Sequence, residues 1–210
     1  MILCDIGNSS FHFYQNGKSF KLSVNDSLKT TKFKAPIYFI SVNKLATKKL
    51  LKKYPNATNI QYLFNLQTKY SSSIGIDRVV ASSYIKNAIV VDFGSAITVD
   101  VIKNYKHKGG FILPGVDILK QTYPNISKKL KFHFENNINL DKMPNNTNIA
   151  INYAITQMII LPIKNVQKKY NLNIIFTGEN SKVFLKYFKN YKFEENLIFK
   201  NMLKAVQEKK

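Results

Sequence analysis

Ile2-Leu3-Cys4-Asp5-Ile6-Gly7-Asn8-Ser9-Ser10 and Ile89-Val90-Val91-Asp92-Phe93-Gly94-Ser95-Ala96-Ile97-Thr98 are two copies of one pattern: a short apolar run that closes on Asp-x-Gly and a small polar residue. The continuations match as well. Phe11-His12-Phe13-Tyr14 and Thr98-Val99-Asp100-Val101 read as second strands, and Asn16-Gly17 and Lys103-Asn104 supply turn residues before a third. In such a turn glycine lets the backbone approach a ligand, consecutive N–H groups and hydroxyls donate to phosphate oxygens, and the strand-ending aspartate can hold Mg²⁺ or its water. A single Asp-x-Gly is also an ordinary hairpin turn. Its repetition after two buried-type strands points to a ligand, with two turns gripping one polyphosphate from opposite sides.

A chain of 210 residues can bury a full core and divide into two lobes, as a duplicated unit suggests. Hydrophobic residues at 45% and aromatics at 13% argue against disorder, and no continuous apolar run reaches membrane-span length. Met1-Ile2-Leu3-Cys4-Asp5 lacks a basic leader and reaches an acid early, which predicts a cytoplasmic protein without a membrane anchor. Cys4 is the only cysteine, so there is no internal disulfide, and its apolar strand makes it a small core residue. The net charge of +20 is carried by lysine at every cationic position except Arg78. Lysines spread in pairs such as Lys48-Lys49 and Lys168-Lys169 read as a solvated surface that draws anionic substrates, and no dedicated nucleic-acid binding is expected.

The pattern predicts an α/β fold with strands over Pro36–Val42 and Asn59–Phe64, a helix over Lys44–Lys53 and a helix over Ile74–Ile85. The second hairpin unit starts at Ala88, so a lobe of residues 1–86 precedes one of residues 87–210. Helices follow over Val116–Lys129 and Thr147–Tyr170, the latter kinked at Pro162, with a loop over Lys131–Asn146 between them. A strand over Asn173–Gly178, a helix over Asn180–Lys189, a strand over Asn196–Phe199 and a last helix over Asn201–Glu208, packing back on the first lobe, complete the reading.

Arg78 is informative from residue type alone. A planar two-pronged donor beside Asp77, in a chain that otherwise uses lysine, suits a carboxylate or phosphate; a structural ion pair is the plainer alternative.

Asp5-Ile6-Gly7-Asn8-Ser9, Gly75-Ile76-Asp77-Arg78, Asp92-Phe93-Gly94-Ser95-Ala96-Ile97-Thr98, Gly109-Gly110-Phe111-Ile112-Leu113-Pro114-Gly115, Asn146-Thr147 and Thr177-Gly178 form an ordered set along nearly the whole chain. In this set the chain resembles the type III pantothenate kinases of the actin-like and sugar-kinase ATPase superfamily. The resemblance implies two actin-like (ribonuclease H-like) lobes, each a mixed sheet with helices, and ATP in the cleft between them. It implies a homodimer that phosphorylates pantothenate in the first step of coenzyme A biosynthesis, using Mg²⁺ and a monovalent cation, K⁺ or NH₄⁺. It casts Asp77 as catalytic base and Tyr70, Gly75, Arg78 and Thr147 as pantothenate contacts, Thr147 reaching into the neighbouring subunit. ATP and its phosphates fall to Asp5, Gly7, Asn8, Ser9, Gly94, Ser95 and Thr98, and the metal ions to Asp5 and Asp92. Asp100 is left between a cation-site role and a strand cap, and Thr147 between substrate contact and helix N-cap.

The chain departs from the family pattern at several positions. Ser95 stands for a threonine, Glu179 for a second glycine after Gly178 and Asn201 for another glycine; the loop carrying Tyr70 is short and lacks a proline. His12, His107 and His133 have no metal-ligand spacing and read as structural or exposed. Another kinase or phosphatase of the superfamily, or a nucleic-acid-binding regulator on the same fold, is the competing expectation.

Overall fold

The computed structural model of the chain describes residues 1–26, 28–70 and 74–209. Its strands are β1 (Ile2–Ile6), β2 (Ser10–Gln15), β3 (Lys18–Ser23), β4 (Ile37–Ser41), β5 (Thr58–Asn59), β6 (Gln67–Thr68), β7 (Asn87–Phe93), β8 (Ala96–Lys103), β9 (Lys106–Pro114), β10 (Ile174–Thr177) and β11 (Tyr191–Phe193). Its helices are α1 (Lys44–Lys53), α2 (Ile76–Ser82), α3 (Val116–Ile126), α4 (Thr147–Tyr170) and α5 (Leu197–Glu208). The strands form two sheets, ordered β3-β2-β1-β4-β5 and β11-β10-β7-β8-β9-β6. The chain divides into two compact units: Met1–Lys86 with Ile102–Gly109 and Asn196–Lys210, and Asn87–Val101 with Gly110–Glu195.

In the first unit β1 lies between antiparallel β2 and parallel β4. Its alternate residues serve two cores. Ile2, Cys4 and Ile6 pack with Phe11, Phe13, Phe39 and Leu50, whereas Leu3 joins Ile40, Val80, Phe199 and Met202. A strand covered on both faces must be apolar at every position, which explains the unbroken run before Asp5. The helix α1 begins where Asn43 Oδ1 accepts the Ala46 N–H at 3.0 Å and buries Ala46 and Leu50, four residues apart on one face.

In the second unit β7 pairs in parallel with β10, Ile89 opposite Ile174 through Asp92 opposite Thr177. Ile89, Val91 and Phe93 share a core with Ile151, Ile155, Ile159 and Ile163 of α4. Among the described residues α4 is the one helix long and apolar enough by length and composition to cross a membrane, but this isoleucine stripe is spent on the sheet. It continues through Pro162 without interruption.

Both hairpin units close on primed turns, whose twist matches that of the strands. Asn16 and Gly17 have φ of 51° and 82°, and Asn104 and Tyr105 have 54° and 60°. The second turn is therefore centred on Asn104-Tyr105, one residue later than the sequence reading placed it.

Three segments differ in kind from the sequence expectation. The strand over Asn59–Phe64 stops at Asn59, because Asn59 Oδ1 accepts the Gln61 N–H at 2.9 Å and bends the chain into a 3-10 turn. The helix over Asn180–Lys189 is instead two 3-10 turns, Glu179–Val183 and Leu185–Tyr187, the first tied by Ser181 Oγ donating to Gly178 O at 2.7 Å. The strand over Asn196–Phe199 is the first turn of α5, where Leu197, Met202, Ala205 and Val206 form a helical face. The strand of this region, β11, lies earlier.

Candidate active site

In the first unit the short helix α2 carries Asp77 and Arg78. Gly75 precedes it in extended conformation and offers no capping side chain, so Asp77 folds back and its Oδ1 accepts the Arg78 N–H at 2.9 Å. A Cβ on Gly75 would meet this Oδ1 closer than the 3.0 Å that real Cβ atoms respect. Glycine at 75 thus makes room for the aspartate; the backbone there, φ −61° and ψ 141°, would accept any residue. This bond orients the Asp77 carboxylate in the first turn of α2, where the dipole favours an anion.

Arg78 is buried, and its guanidinium carbon lies 5.0 Å from the centre of the Tyr70 ring. Gly75, Asp77, Arg78 and Tyr70 are therefore brought together; residues 71–73 of the connecting loop lie outside the described residues. The far end of α2 is held by a residue from the other end of the chain. Asn201 Nδ2 of α5 donates to Val80 O at 2.8 Å, Ser83 O at 3.1 Å and Ala81 O at 3.4 Å. Asn201 thus acts as a C-terminal cap, and with Tyr84 at φ 63° it ends α2 at Ser82, short of the expected Ile85.

Asp5 belongs to the same unit. It is half-buried in β1 opposite His12, whose ring meets Phe199 edge-on at 4.7 Å. In the following turn Asn8 and Ser9 are exposed, and their carbonyls are occupied: Asn8 O accepts from Asn43 Nδ2 at 3.2 Å and Ser9 O from the Val24 N–H at 2.9 Å. Gly7 has no steric need to be glycine, since an added Cβ would stand 3.6 Å from Ser10 O, an ordinary contact.

The second unit holds Asp92, half-buried, then Gly94 and Ser95, exposed, and Thr98, half-buried. This turn is tighter than its counterpart, Gly94 N donating to Ala96 O at 3.0 Å where Gly7 N reaches Ser10 O at 3.0 Å. Two remote glycines press against it. A Cβ on Gly115 would lie 2.8 Å from Gly94 O, and one on Gly178, at φ 81°, would lie 2.9 Å from Phe93 N. Gly115 N also donates to Ser95 O at 3.1 Å. These two glycines belong to the turn's mounting, while Gly94, with 3.4 Å to Ala96 O, leaves the turn's own surface open. Asp100 is buried in β8.

Thr147 is the exposed first residue of α4, and the N-cap is Asn146, whose Oδ1 accepts the Ile149 N–H at 3.0 Å. The capping alternative for Thr147 is replaced by Asn146. The next turn of α4 pins the preceding loop, Asn148 Oδ1 accepting from His133 N and Asn152 Oδ1 from Glu135 N, both at 2.8 Å.

Sequence reading passed over Thr68 and left His107 between a structural and an exposed residue; it is structural. His107 is buried in β9, its Nδ1 lies 2.7 Å from Thr68 Oγ1, and its ring stands 5.8 Å from that of Tyr70. The signal available was the alternation Lys106-His107-Lys108, which marks the histidine as the inward residue of a strand.

The model of the family described as type III pantothenate kinase matches residues 39–169. A type III pantothenate kinase from Campylobacter hominis is 40% identical over 209 residues, covering 100% of this chain and 99% of that protein. A crystal structure from Campylobacter jejuni, described as a conserved Baf family transcriptional activator, superposes with a TM-score of 0.87 at 36% identity over 100% of this chain and 98% of that one. A 2-dehydro-3-deoxygalactonokinase structure from Sinorhizobium meliloti, at 7% identity and a TM-score of 0.61 over 99% and 96% of the two chains, shares the fold.

Proposed function

Because the chain belongs to the type III pantothenate kinase family, we propose that it transfers the γ-phosphoryl group of ATP to the 4′-hydroxyl of pantothenate, giving 4′-phosphopantothenate and ADP. The observation that carries this is the cluster at α2, where Gly75 clears space for a carboxylate beside a buried arginine. Asp77 accepts the hydroxyl proton. In a loose transition state that proton leaves late, so an ionised aspartate held by the Arg78 N–H suffices to orient the alcohol and receive it. Arg78, stacked under Tyr70, grips the carboxylate of pantothenate with two parallel N–H donors.

Within its own unit, each Asp-x-Gly turn offers an open surface and exposed hydroxyls or amide suited to phosphate oxygens. No group of three or more His, Cys, Asp or Glu side chains among the described residues could enclose a metal. Single carboxylates, Asp5 and Asp92, fit Mg²⁺, which keeps most of its waters and is held mainly by substrate phosphates. Asp92 also suits the monovalent cation. When bound, these ions neutralise phosphate charge. The protein works as a cytoplasmic homodimer, with Thr147 completing the neighbouring subunit's site; Met158 and Leu161, half exposed on α4, supply an apolar face for that contact.

ADP release coupled to pantothenate, with and without K⁺, tests the proposal. Turnover should require pantothenate, and Asp77→Asn should lower kcat by roughly 10²–10⁴-fold with pantothenate binding largely kept. Absence of pantothenate-dependent ADP release would refute it. A regulator of transcription is the second reading, on the description of the Campylobacter jejuni structure and the net charge of +20. It requires duplex DNA binding with a steep salt dependence and indifference to Asp77→Asn.

A further inference from the structure

We propose that His107 is a positioning residue for the substrate grip, holding Tyr70 over Arg78 through Thr68. The proposal rests on the pantothenate kinase reading. His107 occupies the inward position of β9, with only 2% of its surface exposed. An aliphatic residue would fill that place without needing a hydrogen-bond partner, whereas a buried imidazole must find one. It finds Thr68 Oγ1 at 2.7 Å, and the same oxygen accepts the Tyr70 N–H at 2.8 Å. Thr68 accepts that N–H and keeps both a proton and a lone pair for Nδ1, so the link holds in either imidazole tautomer.

A second contact reaches Tyr70 from the ring side. The imidazole stands 5.8 Å from the phenol ring at 65°, edge to face, and the centre of the same ring lies 5.0 Å from the Arg78 guanidinium carbon. Tyr70 is 37% exposed, so its own packing leaves it free to swing away from the arginine. Fixing its backbone through Thr68 and its ring through the imidazole removes that freedom before substrate arrives. The pairing of Gln67 with Lys106 and Thr68 with His107 brings the three residues into register. In this arrangement His107 touches neither substrate nor ATP and acts on the rotamer of Tyr70, hence on the shape Arg78 presents.

The test compares His107→Ala and Thr68→Val in the Tyr70 protein and in a Tyr70→Leu background, reading the KM for pantothenate, the KM for ATP, kcat and the melting temperature. Thr68→Val keeps shape and removes both hydrogen bonds, so it serves if His107→Ala does not fold. Each single variant should raise the pantothenate KM by about tenfold, the scale of one desolvated cation–π contact, with kcat within about threefold and the ATP KM unchanged. Neither should raise it further once Tyr70 is leucine. A lower melting temperature with unchanged pantothenate KM, or a full additional effect in the Tyr70→Leu background, would overturn the proposal. Failure of the wild-type protein to phosphorylate pantothenate would instead remove the reading on which it stands.

Discussion

Replacing Gly75 by alanine separates the space a catalytic group needs from the stability of the helix that carries it. The backbone at 75 tolerates alanine, so the perturbation is one methyl group aimed at Asp77 Oδ1. To regain ordinary van der Waals distance the carboxylate oxygen has to retreat by about 1 Å, and misplacements of that size in a reacting geometry cost on the order of 10²-fold. That corresponds to about 2.7 kcal/mol in the barrier. The fold should scarcely notice. Losing the bond from the Arg78 N–H costs about 1 kcal/mol, and removing glycine's freedom from the unfolded chain returns about 0.4–1 kcal/mol. Coupled ADP-release kinetics should therefore show kcat down about 100-fold, the pantothenate KM little changed because Arg78 is not touched, and a melting temperature within about 4 °C of wild type. The double variant with Asp77→Asn should be no slower than Asp77→Asn alone. Turnover within about threefold of wild type, or a loss matched by a collapse in melting temperature, would show that Gly75 serves the fold and not the carboxylate.

The two classes of glycine should part in the same assays. Gly7→Ala should keep the melting temperature within about 2 °C while raising the ATP KM about tenfold, whereas Gly178→Ala, at φ 81° and against Phe93, should lower melting by several degrees. Asn201→Ala removes the donor to three carbonyls at the end of α2 and should destabilise by about 1–3 kcal/mol, measured by denaturant titration. Burial, and secondarily the charge of Asp5, raises the Cys4 thiol well above its ordinary value, so a thiol reagent should modify the native protein only after denaturant is added. The unfolded thiol, near 9.0, gives up its proton first, so this residue's contribution to stability should decline as pH climbs above that value; a Cys4→Ala variant reports the difference.

Local signals carried much of the architecture. The helices expected from Lys44 and Thr147 begin there, although their caps are Asn43 and Asn146, and the apolar run ending at Asp5 announces a strand buried on both faces. The errors fall where short-range hydrogen bonds or distant packing outweigh pattern. Asn59 ends a strand with its own side chain, and Leu197 to Val206 choose a helix because a second core awaits them. The site divides in the same way. Asp77 and Arg78 are legible as neighbours in sequence. The Thr68–His107 bond joins residues 39 apart and the Asn201–Val80 bond residues 121 apart, and no window of sequence contains either pair.

The discontinuity of the first unit bears on the order in which the protein can be made. Its sheet is translated early, yet the face of β1 that holds Leu3 is covered by Phe199, Met202 and Val206, and α2 lacks its cap until Asn201 emerges. The second unit, closed by Glu195, has all its segments first. The second unit is therefore complete in the chain before the first unit has received its last segment. A truncation before Phe199 should leave the Leu3 face of β1 bare and α2 without its Asn201 cap, and so be inert toward pantothenate and prone to capture by chaperones.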